Sequence, residues 1–529
     1  MAVRLAIIGW DSATFDVIDP LTADGRLPVL ASLTERGARS PLHSTWPPMT
    51  DCAWTSAFTS VNPGKHGIFG SWYRAPGAYA CRYFSSRDRR TPALWEMTEG
   101  VRHLVWNVPM TYPPDRVEGG MVAGYGAPPG SVFCEPPDLQ HELAQRWPIE
   151  DLIDRAPHGS LESFLDDLVR GLSVQSEAIV WAANHVNAEC VSVVWPQIDR
   201  AQHFFWRFRN SAHPLSGAVD VVYEAMDRAT GVLVDSFDGA DVLVVSDHGA
   251  GTLKGDVNLG QWLVSTQRAS YGNKSTSRLT NLAWALPPAV RRRARAIAPG
   301  LARRAMQSTL TGQLAPFDWN RTQAFVGFHG DLWINLRDRE PQGNVDRAEA
   351  NGVLDEVASE LLELRNPETN DRVFARAYRR DEIYSGPATE LAPDLMLDSW
   401  SAGYRIAPNR EATSSIVTEP VALAGVDAAW SADHRPLGIW IAAGPGIRST
   451  RVEELSLLDT AATALALLDQ PVPAGLDGRI ATECLKEEAG VTHPVSTKQV
   501  ERQRTASGGY SEDEATAVAA HLKDLGYIE

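Results

Sequence analysis

Short apolar runs alternate with helix-compatible segments along this chain, and the alternation constrains its fold more than any other feature. Val222, Met226, Ala229 and Leu233 recur at helical spacing and predict a helix that packs onto the strand that follows. Strands that alternate with helices predict a mostly parallel sheet with helices on its faces. We therefore predict an α/β fold with a doubly wound sheet. The predicted strands are Val3 to Ile8, His103 to Trp106, Val191 to Trp195, Asp241 to Val245 and Gly438 to Ala442.

Length and charge exclude several classes of protein. The chain has 529 residues, of which 44% are hydrophobic, so it can bury the core of one enlarged domain or of about two or three domains. Its formal net charge of −17 argues against a protein that coats nucleic acid, so we expect no nucleic-acid polymer as partner. No uncharged apolar run reaches the roughly 18 to 20 residues of a membrane span. An anionic substrate would need bound divalent cations to reverse the local field.

The cysteines and the N-terminal segment point to a compartment. The five cysteines are odd in number and never arranged C-x-x-C, which is typical of a reducing compartment and excludes the common thiolate zinc modules. The apolar stretch within Met1 to Gly9 is too short for a signal peptide, and we interpret it as the first strand. A cytoplasmic location is expected, and the oligomeric state stays open.

Composition changes suggest where the chain leaves the sheet. Lys274 to Arg304 contains eight basic residues and no acidic ones, which predicts an insertion. It could be a lid that attracts phosphate, a helix at a membrane surface or a solvated basic helix. We expect a catalytic core over 1–252 and 318–487, an inserted basic cap segment over 253–317, and a polar linker with a C-terminal helix over 488–529.

Polar residues follow three of the predicted strands. In open α/β sheets, ligands gather beyond the carboxyl ends of the strands, so these residues are expected at a binding crevice. Taken singly, each has a structural alternative, such as a helix-capping Asp, a buried His or a surface ion pair. The residues are Asp11, Asp247 with His248, and Asp199 with His203, whose spacing places both on one face of a helix; His434 precedes the last strand.

Together these side chains form a set of oxygen and imidazole donors without a thiolate. Such donors suit Zn²⁺, Mn²⁺ or Mg²⁺, and a two-metal site needs about this many for ions roughly 3.5 to 4 Å apart. The glycine-rich motifs of nucleotide-binding loops and the G-x-S-x-G motif of hydrolases do not occur. We therefore predict a metal centre that still needs a nucleophile.

The segment Trp46-Pro-Pro-Met-Thr50-Asp-Cys-Ala-Trp54 supplies that nucleophile, and Thr59-Ser-Val-Asn-Pro-Gly-Lys-His-Gly67 follows it. With these motifs the chain resembles the alkaline phosphatase superfamily, most closely the bacterial type I phosphodiesterase and nucleotide pyrophosphatase branch. The likeness spans nearly the whole chain. Further segments that resemble these phosphohydrolases are Ile334-Asn-Leu-Arg-Asp-Arg-Glu-Pro-Gln-Gly343, Ala392-Pro-Asp-Leu395 and Asp459-Thr-Ala-Ala-Thr463.

The resemblance implies a fold, a cofactor and a division of ligands. The fold is a three-layer α/β/α sandwich around a mostly parallel sheet, with inserted cap segments. Two divalent ions are implied, with Zn²⁺ expected and Mn²⁺ as the alternative. The first would be held by Asp199, His203 and His434, and the second by Asp11, Thr50, Asp247 and His248. Thr50 matches the nucleophile.

The implied reaction is cleavage of a phosphodiester or pyrophosphate bond in a small nucleotide-like or other organic phosphate, through a covalent phospho-threonine. The alternatives are a phosphomonoesterase and a phosphotransferase or mutase, because the covalent intermediate can react with an alcohol in place of water. A non-catalytic metal-binding protein is a further alternative. Sulfatases mature a Cys or Ser to formylglycine, and Thr50 cannot be converted in that way.

Two positions depart from the family pattern. Eukaryotic-type nucleotide pyrophosphatases carry an Asn three residues after the nucleophile, where it donates to a phosphoryl oxygen, and this chain has Ala53. Asp51 directly follows Thr50, and if it faces the site it would repel a phosphoryl dianion and favour a diester. The basic residues that could compensate are Lys65, Arg207 and Lys254.

Overall fold

A ten-stranded sheet lies at the centre of the described part of the chain. All of its strands run parallel except Cys134–Glu135 and Leu437–Ala443. The five predicted strands are confirmed, with small shifts at their ends. The spatial order is Thr450–Arg451, Ala38–His43, Leu437–Ala443, Asp241–Val245, Leu5–Trp10, Cys190–Trp195, His103–Trp106, Gly119–Val122 and Cys134–Glu135, and Leu455–Ser456 also pairs with Ala38–His43.

The computed structural model describes most of the chain, with gaps. The predicted basic insertion over Lys274 to Arg304 lies outside the described residues, as do nearly all of the predicted linker and C-terminal helix. The described residues are 2–74, 77–79, 81–128, 130–153, 160–272, 317–327, 330–407, 415–420, 430–487, 495–496, 510, 514–515 and 517–518.

Helices cover both faces of the sheet, as the first strand shows. Successive residues of a strand point to opposite faces, and here Gly9 faces the ring of Trp54 while the Trp10 indole donates to the Thr230 hydroxyl at 3.0 Å. Trp54 belongs to the helix Thr50–Thr59, and Thr230 belongs to the helix Ala218–Ser236. The predicted α/β fold around a mostly parallel sheet is therefore confirmed.

The helix Ala218–Ser236 carries the predicted apolar stripe, since Val222, Met226, Ala229 and Leu233 are all buried. Caps mark other helix starts: the Thr14 hydroxyl accepts from the Asp16 N–H ahead of Phe15–Ala23. Among the described residues, the remaining α-helices are Pro28–Arg36, Pro63–His66, Leu94–Met97, Pro137–Ala144, Ile149–Leu152, Leu161–His185, Gln197–Phe205, Leu259–Ser265, Arg347–Leu362, Arg380–Ile383 and Asp459–Leu467. Short 3₁₀ helices are Ser86–Asp88, Trp206–Phe208, Trp319–Arg321, Thr389–Leu391 and Thr482–Cys484.

A second hydrophobic cluster forms beside the main core. In the sequence, its buried residues lie between the strands Asp241–Val245 and Leu437–Ala443. It is built on an antiparallel sheet and on a smaller three-stranded sheet. The chain returns to the central sheet at Leu437, well beyond residue 318, while the domain boundaries themselves stay a prediction. The strands of the two sheets are Ala324–Val326, Asp331–Ile334, Leu395–Asp398 and Arg376–Arg379, then Tyr404–Ala407, Gly255–Asn258 and Val417–Thr418.

Three two-stranded pairs complete the described secondary structure. The pair most relevant to function joins Gly249–Thr252 to Ala432–Arg435. None of the described helices combines the length and the apolar character that a membrane crossing requires. The other pairs are Trp72–Arg74 with Cys81–Tyr83, and Val472–Pro473 with Val495–Ser496.

Candidate metal centre

Three neighbouring parallel strands deliver the candidate carboxylates to one edge of the sheet. Leu5–Trp10 lies between Asp241–Val245 and Cys190–Trp195, and the three strands end nearly in register, with Gly9 opposite Val245 and Trp10 opposite Trp195. Asp11 and Asp247 follow directly, because each strand ends one or two residues before its carboxylate. Their convergence follows from the pairing, as the sequence predicted.

Two further elements bring the imidazoles. The helix Gln197–Phe205 begins after the third strand and carries Asp199 and His203 on one face. His434 is distant in sequence from the other ligands. Its strand pairs with Gly249–Thr252, which places His434 opposite Ala250. That short strand follows His248 without a break.

The side chains form two groups with closely spaced donor atoms. The first ligand set is Asp199, His203 and His434, and the second ligand set is Asp11, Asp247 and His248; within each, the donor atoms lie within 4.8 Å of one another. The sets adjoin, since the rings of His248 and His434 stack with centroids 3.7 Å apart. All six side chains are buried. The structure thus brings together six of the seven residues predicted for the two metals, and Thr50 is the seventh.

Backbone carbonyls determine which nitrogen each imidazole presents. The Nδ1 atoms of His203, His434 and His248 lie 2.9 Å, 2.9 Å and 3.1 Å from the carbonyl oxygens of Ala432, Pro48 and Gly249. A carbonyl only accepts, so each Nδ1 carries the proton and donates. Nε2 of each ring is therefore the atom that faces the ligand sets and can bind a metal in place of a proton, which is the arrangement of metal-binding histidines.

The carboxylates are held in an environment that favours a cation. Asp11 Oδ1 has no hydrogen-bond partner among the described residues, and Asp247 Oδ2 and Asp199 Oδ1 lie 3.2 Å and 3.1 Å from the imidazole nitrogens of His248 and His203. Burial, followed by repulsion between the carboxylates, raises the pKa of Asp11 and of Asp247 well above the ordinary value. A dication removes both causes, because it replaces lost solvation and outweighs the repulsion. The donor set therefore fits two divalent ions.

Asp199 behaves differently from the other two carboxylates. Burial alone would raise its pKa, but His203 and His434 outweigh burial and hold the pKa of Asp199 well below its usual range. His434 in turn is desolvated, yet its contact with Asp199 raises the pKa of that imidazole to about 9. The first ligand set thus contains its own compensating charge.

Thr50 lies beside the second ligand set. Its hydroxyl oxygen is 3.4 Å from His248 Nε2, and the residue is 5% exposed. It is the first residue of the helix Thr50–Thr59, whose N-terminus has no side-chain cap. The free N–H groups and the positive end of the helix dipole favour negative charge at this hydroxyl.

The two departures from the family pattern are both buried. Ala53 is inaccessible to solvent and offers no donor to a phosphoryl oxygen. Asp51 does not point to bulk solvent: it lines a cavity with Ser71 and the rings of Tyr83, Tyr112 and Tyr125, among others. Burial raises the pKa of Asp51 to about 6, although a hydrogen bond with Ser71 opposes the rise.

The three candidate basic residues make contacts away from the ligand sets. Lys65 binds the Asp477 carboxylate and the Gly475 carbonyl. Lys254 Nζ lies 3.3 Å from Asp371. The Arg207 guanidinium lies 4.7 Å from the ring centre of Phe208. No described contact joins any of the three to Thr50, so their substrate-binding role stays a prediction.

Sequence reasoning missed the residues that orient the ligands. The Trp54 indole donates to Asp11 Oδ2 at 3.0 Å, and the Trp430 ring stacks on His203 with centroids 3.7 Å apart. The Ser12 N–H donates to Asp247 Oδ1 at 3.2 Å. The spacing of Trp54 four residues after Thr50, on one face of a helix, was the available signal.

Comparisons with known proteins identify the family and the fold of the chain. The family model described as type I phosphodiesterase / nucleotide pyrophosphatase matches residues 5–425. Among curated protein sequences, no significant match to the chain was found.

Solved structures share the fold at low sequence identity. An alkaline phosphatase, PafA, in a mutant form is 14% identical with a TM-score of 0.54, over 92% of this chain and 99% of its own. Phosphonoacetate hydrolase from Sinorhizobium meliloti, bound to phosphonoacetate, is 15% identical with a TM-score of 0.51, over 87% and 94%.

A third structure is the murine ectonucleotide pyrophosphatase / phosphodiesterase 5, an inactive variant bound to AMP. It is 12% identical with a TM-score of 0.50, over 92% of this chain and 100% of its own. These likenesses support the alkaline-phosphatase-like fold. By the extent of the family match, this chain belongs to the type I phosphodiesterase / nucleotide pyrophosphatase family and is a phosphoester hydrolase.

Proposed function

We propose that the protein is a two-metal phosphohydrolase that cleaves a phosphodiester or pyrophosphate bond of a small nucleotide-like or other organic phosphate, with Thr50 as nucleophile. The observation that carries the proposal is the position of the Thr50 hydroxyl, 3.4 Å from His248 Nε2, where the two ligand sets adjoin. A phosphoryl group bound at this junction lies within reach of both sets.

Two divalent ions, Zn²⁺ first and Mn²⁺ as the alternative, would lower the pKa of the Thr50 hydroxyl and stabilise the charge on the departing oxygen. The Thr50 oxygen attacks phosphorus in line, so that a new P–O bond forms as the ester P–O bond opposite it breaks. The departing oxygen leaves with its electron pair as an alkoxide or phosphate and takes up a proton from water, while the proton of the Thr50 hydroxyl passes to solvent. Water then hydrolyses the phospho-threonine and restores the hydroxyl.

During this reaction the protein would hold the two ions and orient the Thr50 oxygen. With Nδ1 of each imidazole bound to a carbonyl, the three Nε2 atoms would hold the ions and would not shuttle protons. The uncapped N-terminus of the Thr50 helix adds a partial positive charge at the oxygen that becomes negative. The buried position of Thr50 limits competing water.

Asp51 supports a diester over a monoester as substrate. Asp51 directly follows Thr50 and is 9% exposed, and we propose that its negative charge acts on the reacting phosphoryl group. A monoester dianion carries about one more charge than a diester and is repelled more strongly at low effective dielectric. The missing Asn at the Ala53 position further weakens binding of a heavily charged group.

The substrate class is small phosphorus compounds. The solved relatives hold AMP in one case and phosphonoacetate in another, which supports a small phosphorylated ligand here. The five cysteines are free thiols, in keeping with the cytoplasmic location expected from the sequence.

The proposal is tested by comparing bis(p-nitrophenyl) phosphate with p-nitrophenyl phosphate on the protein loaded with Zn²⁺ or Mn²⁺. We expect faster turnover of the diester and, after acid quenching, a mass increase on Thr50. A monoester preference above about tenfold would contradict the diesterase assignment. Transfer of the phosphoryl group to added glycerol in place of water would show a phosphotransferase.

A further inference from the structure

Trp54 joins the helix of the nucleophile to the first strand. It lies four residues after Thr50 on the helix Thr50–Thr59, so both side chains lie on one side of that helix. The ring is fully buried and packs on Gly9 so closely that a Cβ there would be 2.6 Å from Trp54 Cη2. The contact therefore requires glycine in the strand and sets the distance between helix and sheet.

The Trp54 indole binds one carboxylate oxygen of Asp11 and leaves the other oxygen facing the metal site. Its N–H donates to Asp11 Oδ2 at 3.0 Å. Asp11 Oδ1 has no hydrogen-bond partner among the described residues and lies 3.8 Å from His248 Nε2. Because an indole N–H only donates, this bond selects the carboxylate orientation in which Oδ1 faces the second ligand set.

Other buried tryptophans show that this bond is not a consequence of packing alone. Trp106, Trp195 and Trp440 are equally inaccessible to solvent, yet their Nε1 atoms have no hydrogen-bond partner among the described residues. Burying an unpaired N–H costs free energy, and the fold accepts that cost at these positions. At Trp54 the N–H is instead directed at a candidate metal ligand.

We propose that Trp54 is a positioning residue of the metal centre: its N–H orients Asp11 toward the ion that binds beside Thr50, while its ring seats the Thr50 helix on Gly9. This inference rests on the proposed function. In this role, the single side chain of Trp54 sets the position of Thr50 relative to Asp11, which is a ligand of the same ion. Partners of this kind typically change metal affinity or activity by about 10- to 100-fold when removed.

The test measures Zn²⁺ affinity directly, by competition with a chromophoric chelator on metal-free protein. Trp54→Phe retains an aromatic ring and removes the donor. Trp106→Phe is the matched control, since it removes the same group at a site that is fully buried and whose N–H has no partner. A further variant carries β-(3-benzothienyl)alanine at position 54, which keeps the bicyclic ring and has sulfur in place of the N–H.

We expect Trp54→Phe and the benzothienyl variant to weaken one of two Zn²⁺ affinities by about 10- to 100-fold and to leave the other unchanged. Trp106→Phe should retain both affinities, with a similar loss of stability toward urea. Wild-type affinities in both position-54 variants would overturn the inference, as would an equal loss in Trp106→Phe. If Trp54→Phe does not fold, the benzothienyl variant decides. Fewer than two Zn²⁺ ions on the wild-type protein would contradict the proposed function itself.

Discussion

The two ligand sets differ in how far the protein compensates their charge. In the first, Asp199 Oδ1 lies 3.1 Å from His203 Nε2 and 3.5 Å from His434 Nε2, so one carboxylate faces two imidazoles. The second holds two carboxylates and one imidazole, and the pKa of both Asp11 and Asp247 is raised by burial and by repulsion from neighbouring carboxylates. The second set therefore depends more on a cation.

Because of this difference in charge compensation, the ligand set that most needs a cation is the one next to the nucleophile Thr50. Thr50 adjoins the second set through His248, and a buried pair of like charges is stable only when a proton or a metal joins it. An ion held there also stabilises the Thr50 alkoxide. The first ligand set can retain its geometry without an ion. In the second ligand set, binding of the ion also activates the Thr50 hydroxyl.

The largest expected effect comes from Thr50→Ala, which removes the nucleophile and leaves both sets intact. Diester hydrolysis should fall by more than about 10³-fold, because no covalent intermediate can form. Metal content, measured by mass spectrometry of the eluted ions, should stay at two per chain.

Thr59→Ala is the matched control for Thr50→Ala. It removes a buried hydroxyl from the same helix, one that donates to the Thr55 carbonyl at 2.7 Å. It should retain hydrolysis. Wild-type activity in Thr50→Ala would refute the nucleophile assignment and, with it, the contrast between the sets.

The second-largest expected effect distinguishes the roles of the two ligand sets in the reaction. Asp247→Ala and His203→Ala should each reduce diester turnover by about 10² to 10³-fold, since each removes part of the electrostatic stabilisation. Only the second set adjoins Thr50, so the two variants should fail at different steps. His203→Ala should still release a burst of p-nitrophenolate and accumulate phospho-threonine, whereas Asp247→Ala should not.

Rapid quenching with intact-protein mass spectrometry measures this difference. Covalent protein in Asp247→Ala, or its absence in both variants, would show that the sets do not divide the reaction as proposed. Zinc titration of each variant checks that only one ion is lost.

Asp51→Asn should change specificity more than rate. Removing the charge beside Thr50 lowers the repulsion of a dianion, so kcat/KM for p-nitrophenyl phosphate should rise by about 10-fold relative to that for the diester. The amide retains the volume and a hydrogen bond to Ser71. An unchanged ratio of the two kcat/KM values would show that Asp51 does not act on the phosphoryl group.

The sequence predicted the ends of the strands better than the contacts between them. Apolar runs fall on the inner strands and Asp11 and Asp247 follow directly, so periodicity and the strand-end rule locate them. His434 was placed by resemblance, because its position depends on the pairing of Ala432–Arg435 with a strand more than a hundred residues earlier. Local pattern does not encode such long-range pairing.

The orienting contacts could not be predicted for a related reason. The carbonyls of Ala432, Pro48 and Gly249 determine the imidazole tautomers, and every residue has a carbonyl. The sequence leaves the direction of Asp51 open, because a residue beside Thr50 can face toward the site or away from it on a helix. Burial shows that Asp51 does not point to bulk solvent, which is a property of the packed molecule, while its action on the phosphoryl group stays a prediction.

The smallest effect contrasts the site imidazoles with His66, a buried imidazole whose two nitrogens both bind protein groups. Its Nδ1 accepts from the Ile68 N–H at 3.1 Å, and its Nε2 lies 2.8 Å from the Ser56 hydroxyl. Burial, with a contribution from Arg89, lowers the pKa of His66 to about 3. In the unfolded chain a histidine has a pKa of about 6.5, so the unfolded state binds more protons between these values. Stability is therefore complete above about pH 6.5 and falls as the pH drops toward 3.

Urea unfolding of the metal-free protein should show this loss, with His66 contributing about 1.4 kcal/mol per pH unit below its unfolded pKa. His66→Gln should reduce the slope of stability against pH by about one proton, at the cost of some stability at neutral pH. His43→Gln removes a half-exposed imidazole and is the matched control. If His66→Gln followed the wild-type slope, the acid-dependent loss would come from the ligand sets. The charge compensation assigned to Asp199 and His434 would then be the part of the comparison to revise.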